Sequence, residues 1–66
     1  MDLIGMTAEE QRIIQHIRKQ GSLNNTECRN LLGVNIDRAY YLLRKMHKSG
    51  VLKQIGQQRG TRYVLS

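Results

Sequence analysis

This 66-residue sequence predicts an α+β fold that is mainly α, with three helices followed by a C-terminal β-hairpin. Three observations carry that prediction. Apolar residues recur at helical spacing in three stretches, each entered through a side chain suited to cap a helix N-terminus. A glycine follows each stretch, at Gly21, Gly33 and Gly50. Two short runs near the C-terminus carry β-branched or aromatic residues and no proline, with a polar segment between them.

The first helix begins at Thr7-Ala8-Glu9-Glu10, which has the form of a capping box: the Thr7 hydroxyl accepts from the Glu10 N–H while the Glu10 carboxylate reaches back to the Thr7 N–H. Glu9 and Glu10 fall at the positive end of the helix dipole, Arg18 and Lys19 near its negative end. Ile13, Ile14 and Ile17 form the apolar face, with Met6 packing back as a staple, so the helix is expected from Ala8 to about Gln20. Ser22-Leu23-Asn24 reads as one extended rung with Leu23 inward. Asn24-Asn25-Thr26-Glu27 repeats the capping logic and opens a second helix, Asn25 to Leu32, burying Cys28, Leu31 and Leu32.

Gly33 ends that helix, Val34 tucks inward, and Asn35 caps a third helix from Ile36 to about Lys48. There Ala39, Leu42, Leu43 and Met46 lie at i, i+3, i+4 and i+7 and form one apolar stripe. Asp37, Tyr41, Arg44, Lys45 and Lys48 fall on the opposite side, with Arg38 and Tyr40 on the flanks. Two helices joined by a tight glycine-containing turn make a helix-turn-helix. Val51–Ile55 and Thr61–Leu65 read as strands, with Gly56-Gln57-Gln58-Arg59-Gly60 as the tip of a hairpin. The order helix, short strand, helix, helix, hairpin is that of a winged helix. Residues 7–66 are expected to be this domain, and residues 1–6 an N-terminal tail or a remnant of a linker.

Composition narrows the function classes. A chain of this length buries only about 60% of the surface it exposes when unfolded, so its stability is expected to be modest. A single cysteine, Cys28, permits no intramolecular disulfide and no cysteine-based zinc site, and it reads as a small buried apolar residue. His16 and His47 stand alone, so no metal and no cofactor are expected. The helix starts account for the glutamates, and neither a phosphate loop nor a nucleophile motif is present, so catalysis is not expected. No apolar run reaches the ~18 residues of a membrane span. With a free thiol and no secretory signal, the expected location is the cytoplasm.

The net charge of +6 is unevenly placed. From Met1 to Gly33 the four bases and four acids cancel, whereas Val34–Ser66 holds seven bases against Asp37 alone. Solubility needs no such segregation, and a polyanionic partner explains it.

At this point a resemblance becomes visible. Gly33-Val34-Asn35-Ile36-Asp37-Arg38-Ala39-Tyr40-Tyr41-Leu42-Leu43 is similar to the pattern G-V-S-x-x-T-V-Y-x-L-L of bacterial winged helix-turn-helix DNA-binding domains. Lys48-Ser49-Gly50-Val51-Leu52-Lys53 and Arg59-Gly60-Thr61-Arg62-Tyr63-Val64-Leu65 resemble the second strand and wing of that family, so the likeness spans about Thr7 to Leu65. It is nearest to the small winged helices of helicase-related or ATPase-containing transcriptional regulators. Two departures stand out: Arg29 occupies a second-helix slot where many members carry alanine, and Asn35 replaces the capping serine. The proline pair and tryptophan of wings that grip left-handed DNA are absent, since the chain has neither residue type.

The resemblance implies duplex DNA as partner, with the third helix in the major groove. Asn35, Ile36, Asp37, Arg38 and Tyr41 are then placed to reach base edges, and Arg44 one turn further along. Lys45 and Lys48 suit phosphates, and Tyr40 matches the family tyrosine, whose hydroxyl is expected at a phosphate. Arg59, Thr61 and Arg62 belong to the wing, on the backbone or in the minor groove. Asp37 also reads as a first-turn acid stabilising the helix dipole, the more ordinary role. Five or six cations on phosphate would give a slope of log affinity on log salt near −5. A single module binds weakly, so a homodimer or a larger parent protein is expected to supply specificity. The rival reading is a winged-helix protein–protein interaction or dimerisation module, with Leu3, Ile4 and Ile36 as its apolar candidates. RNA is a third reading, for which Tyr40, Tyr41 and Tyr63 are the available stacking platforms.

Overall fold

The computed structural model describes residues 7–56 and 60–66. Helices α1 (Ala8–Gln20), α2 (Asn25–Leu32) and α3 (Ile36–Lys48) precede strands β1 (Leu52–Ile55) and β2 (Arg62–Leu65). This is a winged helix-turn-helix, with all three helix ranges as the sequence predicts. The expected contributions of Met6, Leu3 and Ile4 lie outside the described residues, as do Gln57, Gln58 and Arg59 at the hairpin tip.

The local chemistry of each helix start is realised in bonds. Thr7 N–H donates to Glu10 at 3.0 Å and Glu10 N–H to the Thr7 hydroxyl at 3.2 Å. Asn24 and Glu27 make the same reciprocal pair at 3.1 and 2.8 Å. The Asn35 side chain takes the Arg38 N–H at 2.8 Å, so α3 starts on a single cap. Between α2 and α3, Gly33 adopts φ 68°, the left-handed conformation that turns the chain sharply without the penalty a Cβ brings.

The hairpin pairs antiparallel, with Leu52 opposite Leu65 and Gln54 opposite Tyr63. The extended rung is present: Leu23 bridges Tyr63 through bonds of 2.9 and 2.8 Å, adding a third edge to the sheet and tying the α1–α2 connection to β2. Both strands begin one residue later than the sequence pattern indicates. Val51 is diverted because its N–H bonds to the Met46 carbonyl, with Gly50 N–H on His47, closing α3 as a Schellman motif. At the other end, Gly56 has φ 77°, and a Cβ there would collide with the Gly60 carbonyl, so the hairpin neck closes only around glycine.

The core joins Ile13, Ile14 and Ile17 of α1 with Leu23, Cys28, the stripe Ala39, Leu42, Leu43 and Met46, and Leu52. Leu31 and Leu32, expected inside, are only partly buried and lean against this cluster with Val34, Val51, Tyr63 and Leu65. Among the described residues no helix is long and apolar enough to cross a membrane.

Two measurements check this packing. Leu23 is fully buried at the junction of sheet and helices. Leu23→Ala is therefore expected to lose about 2–4 kcal/mol in urea unfolding, a large share of the stability of so small a domain. Cys28 is fully buried, and burial, with a smaller push from Glu9, raises its thiol to about 11. A thiol held protonated in the folded state favours folding below the unfolded value near 9 and loses that contribution as pH climbs from about 9 to 11. Against a Cys28→Ala reference, the wild-type chain should lose stability more steeply across that interval. Its thiol should also resist alkylation at pH 8 until the protein unfolds.

Candidate nucleic-acid interface

The burial of Ala39, Leu42, Leu43 and Met46 fixes how α3 is rotated, and so which of its side chains face outward. At about 100° per residue, three longitudinal zones result. Asp37, Tyr41, Arg44 and Lys48 occupy the outward face. Ile36, Tyr40 and His47 stand on the edge towards the hairpin, and Arg38 and Lys45 on the edge towards α1.

The α1 edge is occupied by ion pairs. Arg38 donates to Glu9 at 2.7 Å, and this bond raises the pKa of its guanidinium still further above the ordinary value. The same guanidinium lies 5.5 Å from the centre of the Tyr41 ring, a cation–π distance. Lys45 Nζ stands 4.0 Å from Glu10, at the outer limit of an ion pair. Arg62, expected on the wing surface, instead donates to Glu27 at 2.8 Å and to the Ser22 hydroxyl at 2.8 Å, bracing the base of the hairpin against the start of α2. Arg38, Lys45 and Arg62 of the basic half are thus each matched by a carboxylate from the neutral half.

The outward face is different. Arg44 and Lys48 border two adjoining depressions, one with Tyr41 and Lys45, the other with Tyr40, His47, Gln54 and Tyr63. Among the described residues neither Arg44 nor Lys48 has an ion-pair partner. Tyr40 and Tyr41 are 60% and 56% exposed, so Tyr40 is not the half-buried packing residue its place at the edge of the stripe allows. Tyr63 lies beneath: burial raises its phenol pKa, Tyr40 adds to the rise and Arg44 opposes it. His47 meets the Tyr63 ring edge-on at 6.2 Å and places Nδ1 3.3 Å from the Leu52 carbonyl, pinning the end of α3 to the hairpin.

Sequence reasoning overlooked one feature of this region. Asn24, Asn25 and Thr26 at the start of α2 converge with Tyr40, Gln54 and Thr61 on a polar cleft of about 250 Å³. Both polar atoms of the Asn25 side chain are buried there without a protein partner. Nothing in the residue pattern marks Asn25 or Gln54, because their meeting depends on how the hairpin packs beside α3. Of the residues expected at the interface, Asn35, Ile36, Asp37, Tyr40, Tyr41, Arg44 and Lys48 are exposed on α3, whereas Arg38, Lys45 and Arg62 are drawn to carboxylates. Thr61 is partly buried at the cleft, and Arg59 lies outside the described residues. Among the described residues no group of three or more His, Cys, Asp or Glu side chains gathers to hold a metal.

Comparison with known proteins agrees with this architecture. No protein-family model matches the chain, and no curated protein sequence matches it significantly. A crystal structure of a transcriptional regulator from Thermotoga maritima is similar over 96% of this chain, with 25% identity and a TM-score of 0.85. The chain spans about half of that regulator, 45% of its length.

The Glu27–Arg62 tie is testable by a double-mutant cycle. Glu27→Gln and Arg62→Gln should each destabilise the fold, with a coupling energy of about 0.5–1 kcal/mol that shrinks in high salt.

Proposed function

We propose that this domain binds duplex DNA as the DNA-binding unit of a transcriptional regulator, laying α3 in the major groove with the hairpin beside it on the backbone. The observation that carries this reading is the outward face of α3: Arg44 and Lys48, without ion-pair partners among the described residues, flanked by exposed Tyr40 and Tyr41. A major groove about 12 Å wide admits one helix. Arg44 and Lys48 would meet phosphates across it, and the first turns of α3 would meet base edges. The likeness to a transcriptional regulator supports the same assignment.

The ion pairs revise the expected electrostatics. Arg38, Lys45 and Arg62 are engaged by carboxylates, leaving Arg44, Lys48 and Lys53 without such partners among the described residues; Arg59, outside them, is a fourth candidate. With about three or four phosphates neutralised, log affinity for a random duplex should fall with log salt at a slope near −3, shallower than sequence alone implies. Titrations of a labelled duplex from 20 to 200 mM salt (roughly the range over which such slopes are read) measure it. A slope near zero would sink the proposal. Arg44→Ala or Lys48→Ala should each flatten the slope by about 0.9. Glu9→Gln releases Arg38 and removes a negative charge beside the face, so it should tighten binding and steepen the slope by about the same amount.

The rival module, a surface for self-association or protein docking, would draw on the same exposed tyrosines with Ile36. Sedimentation without DNA separates the two: a monomer throughout a concentration series disfavours the dimerisation form of that reading.

A further inference from the structure

Three large apolar side chains of α3 remain uncovered: Ile36 is 54% exposed, Tyr40 60% and Tyr41 56%. All three belong to the leading half of the helix, and the DNA reading of this site, on which the present inference rests, turns that half towards base edges. Ile36 and Tyr40 are one turn apart on the hairpin side, about 6 Å along the axis. That rise approaches two base-pair steps of ~3.4 Å. Tyr41 follows on the outward face, where it shares a depression with Arg44, Lys45 and Lys48.

What these residues read depends on what the leading turn lacks. Its one cation, Arg38, points to α1 and donates to Glu9 at 2.7 Å, so a bidentate arginine–guanine pair from this turn would first have to break that bond. Asn35 commits its side-chain oxygen to the Arg38 N–H and keeps its amide NH2 to donate. Beside that amide, the groups free to face base edges are Ile36, Asp37, Tyr40 and Tyr41, and three of these four are apolar or aromatic. In the major groove the apolar group is the C5-methyl of thymine, which sits in reach of such side chains. The flanking cations Arg44 and Lys48 supply the charge that holds a polyanion over an otherwise apolar ridge.

We infer that Ile36, Tyr40 and Tyr41 recognise thymine methyl groups, so that the preferred duplex presents thymines within two or three consecutive base pairs of its major groove. Sequence preference then arises from apolar contact, and affinity from Arg44, Lys48 and the hairpin.

The test removes the methyl and nothing else. Duplexes enriched by the protein from a random pool are resynthesised with deoxyuridine in place of thymidine, which keeps base pairing and charge. Burial of one methyl is worth about 0.8 kcal/mol, so each contacted methyl lost should weaken binding about four-fold. Loss of two or more should therefore exceed ten-fold, with the salt slope unchanged. Ile36→Ala and Tyr41→Ala should bring the ratio of the two affinities towards one while retaining the slope, and thermal unfolding checks that these exposed positions leave the fold intact. Equal binding of the thymidine and deoxyuridine duplexes by the wild-type chain overturns the inference and leaves the DNA reading standing. Failure to bind any duplex at low salt overturns both. Concentration-dependent self-association that Ile36→Ala abolishes would assign the ridge to a second copy of the chain, and overturns it too.

Discussion

The rotation of α3 about its own axis is the constraint on which the rest of this domain depends. Ala39 and Met46 are fully buried and Leu42 and Leu43 nearly so, against the isoleucines of α1 and Leu52 of the hairpin. Turning the helix by one residue would bring Tyr40 into that core and expose Leu42, or bring Lys45 in and expose Leu43, at a cost of several kcal/mol from burying a charge or a phenol without partners. No polar bond on the surface is strong enough to compete. The outward face is therefore decided from inside, by four side chains that would never touch a ligand.

With α3 seated, the carboxylates of the first half find their second use. Glu10 and Glu27 close their own helix starts, yet each also faces a cation from the far half of the chain, and Glu9 takes Arg38. The partly exposed pairs Arg38–Glu9 and Arg62–Glu27 add little stability, of order 0–1 kcal/mol each. Their larger effect is on the field: they cancel positive charge at the α1 edge and at the base of the hairpin and leave it uncancelled along Arg44 and Lys48. A helix that presents cations on one zone and neutral pairs on the next has a polarity across its width. A uniformly basic helix of the same net charge has none.

How far this was legible in the residues follows from the range of the interactions. Capping boxes join positions i and i+3 and the apolar stripe runs from i to i+7, so helix ends and the buried faces are written locally. The start of β1 was displaced by one residue because Val51 serves α3 first, and a propensity pattern cannot tell a closing N–H from a ladder N–H. Leu31 and Leu32 satisfy the period but sit where α2 runs out of neighbours to cover them. Arg38 and Arg62 were harder still. Their partners are 29 and 35 positions away, and helical spacing says which edge a side chain leaves from, never which element waits there. The polar cleft around Asn25 belongs to the same class, since it exists only where α2, α3 and the hairpin converge.

That asymmetry of information bears on where specificity resides. A basic stretch read alone invites the view that every arginine on a recognition helix is a reader, and Arg38, one turn into α3, is the natural choice. In the structure it donates to Glu9 and lies near the Tyr41 ring, which ties α1 to α3 before any base is met. On the proposed function, reading would then fall to exposed side chains that the core does not need. Ile36, Tyr40 and Tyr41 are each more than half exposed, and water is a poor neighbour for their apolar surface. For a domain with so small a core, three exposed apolar groups on one helix are a standing cost in solubility, which contact with an apolar feature of the proposed partner would offset. On duplex DNA that feature is found in the major groove and only at thymine, which ties the choice of sequence to the same helix rotation that buries Met46.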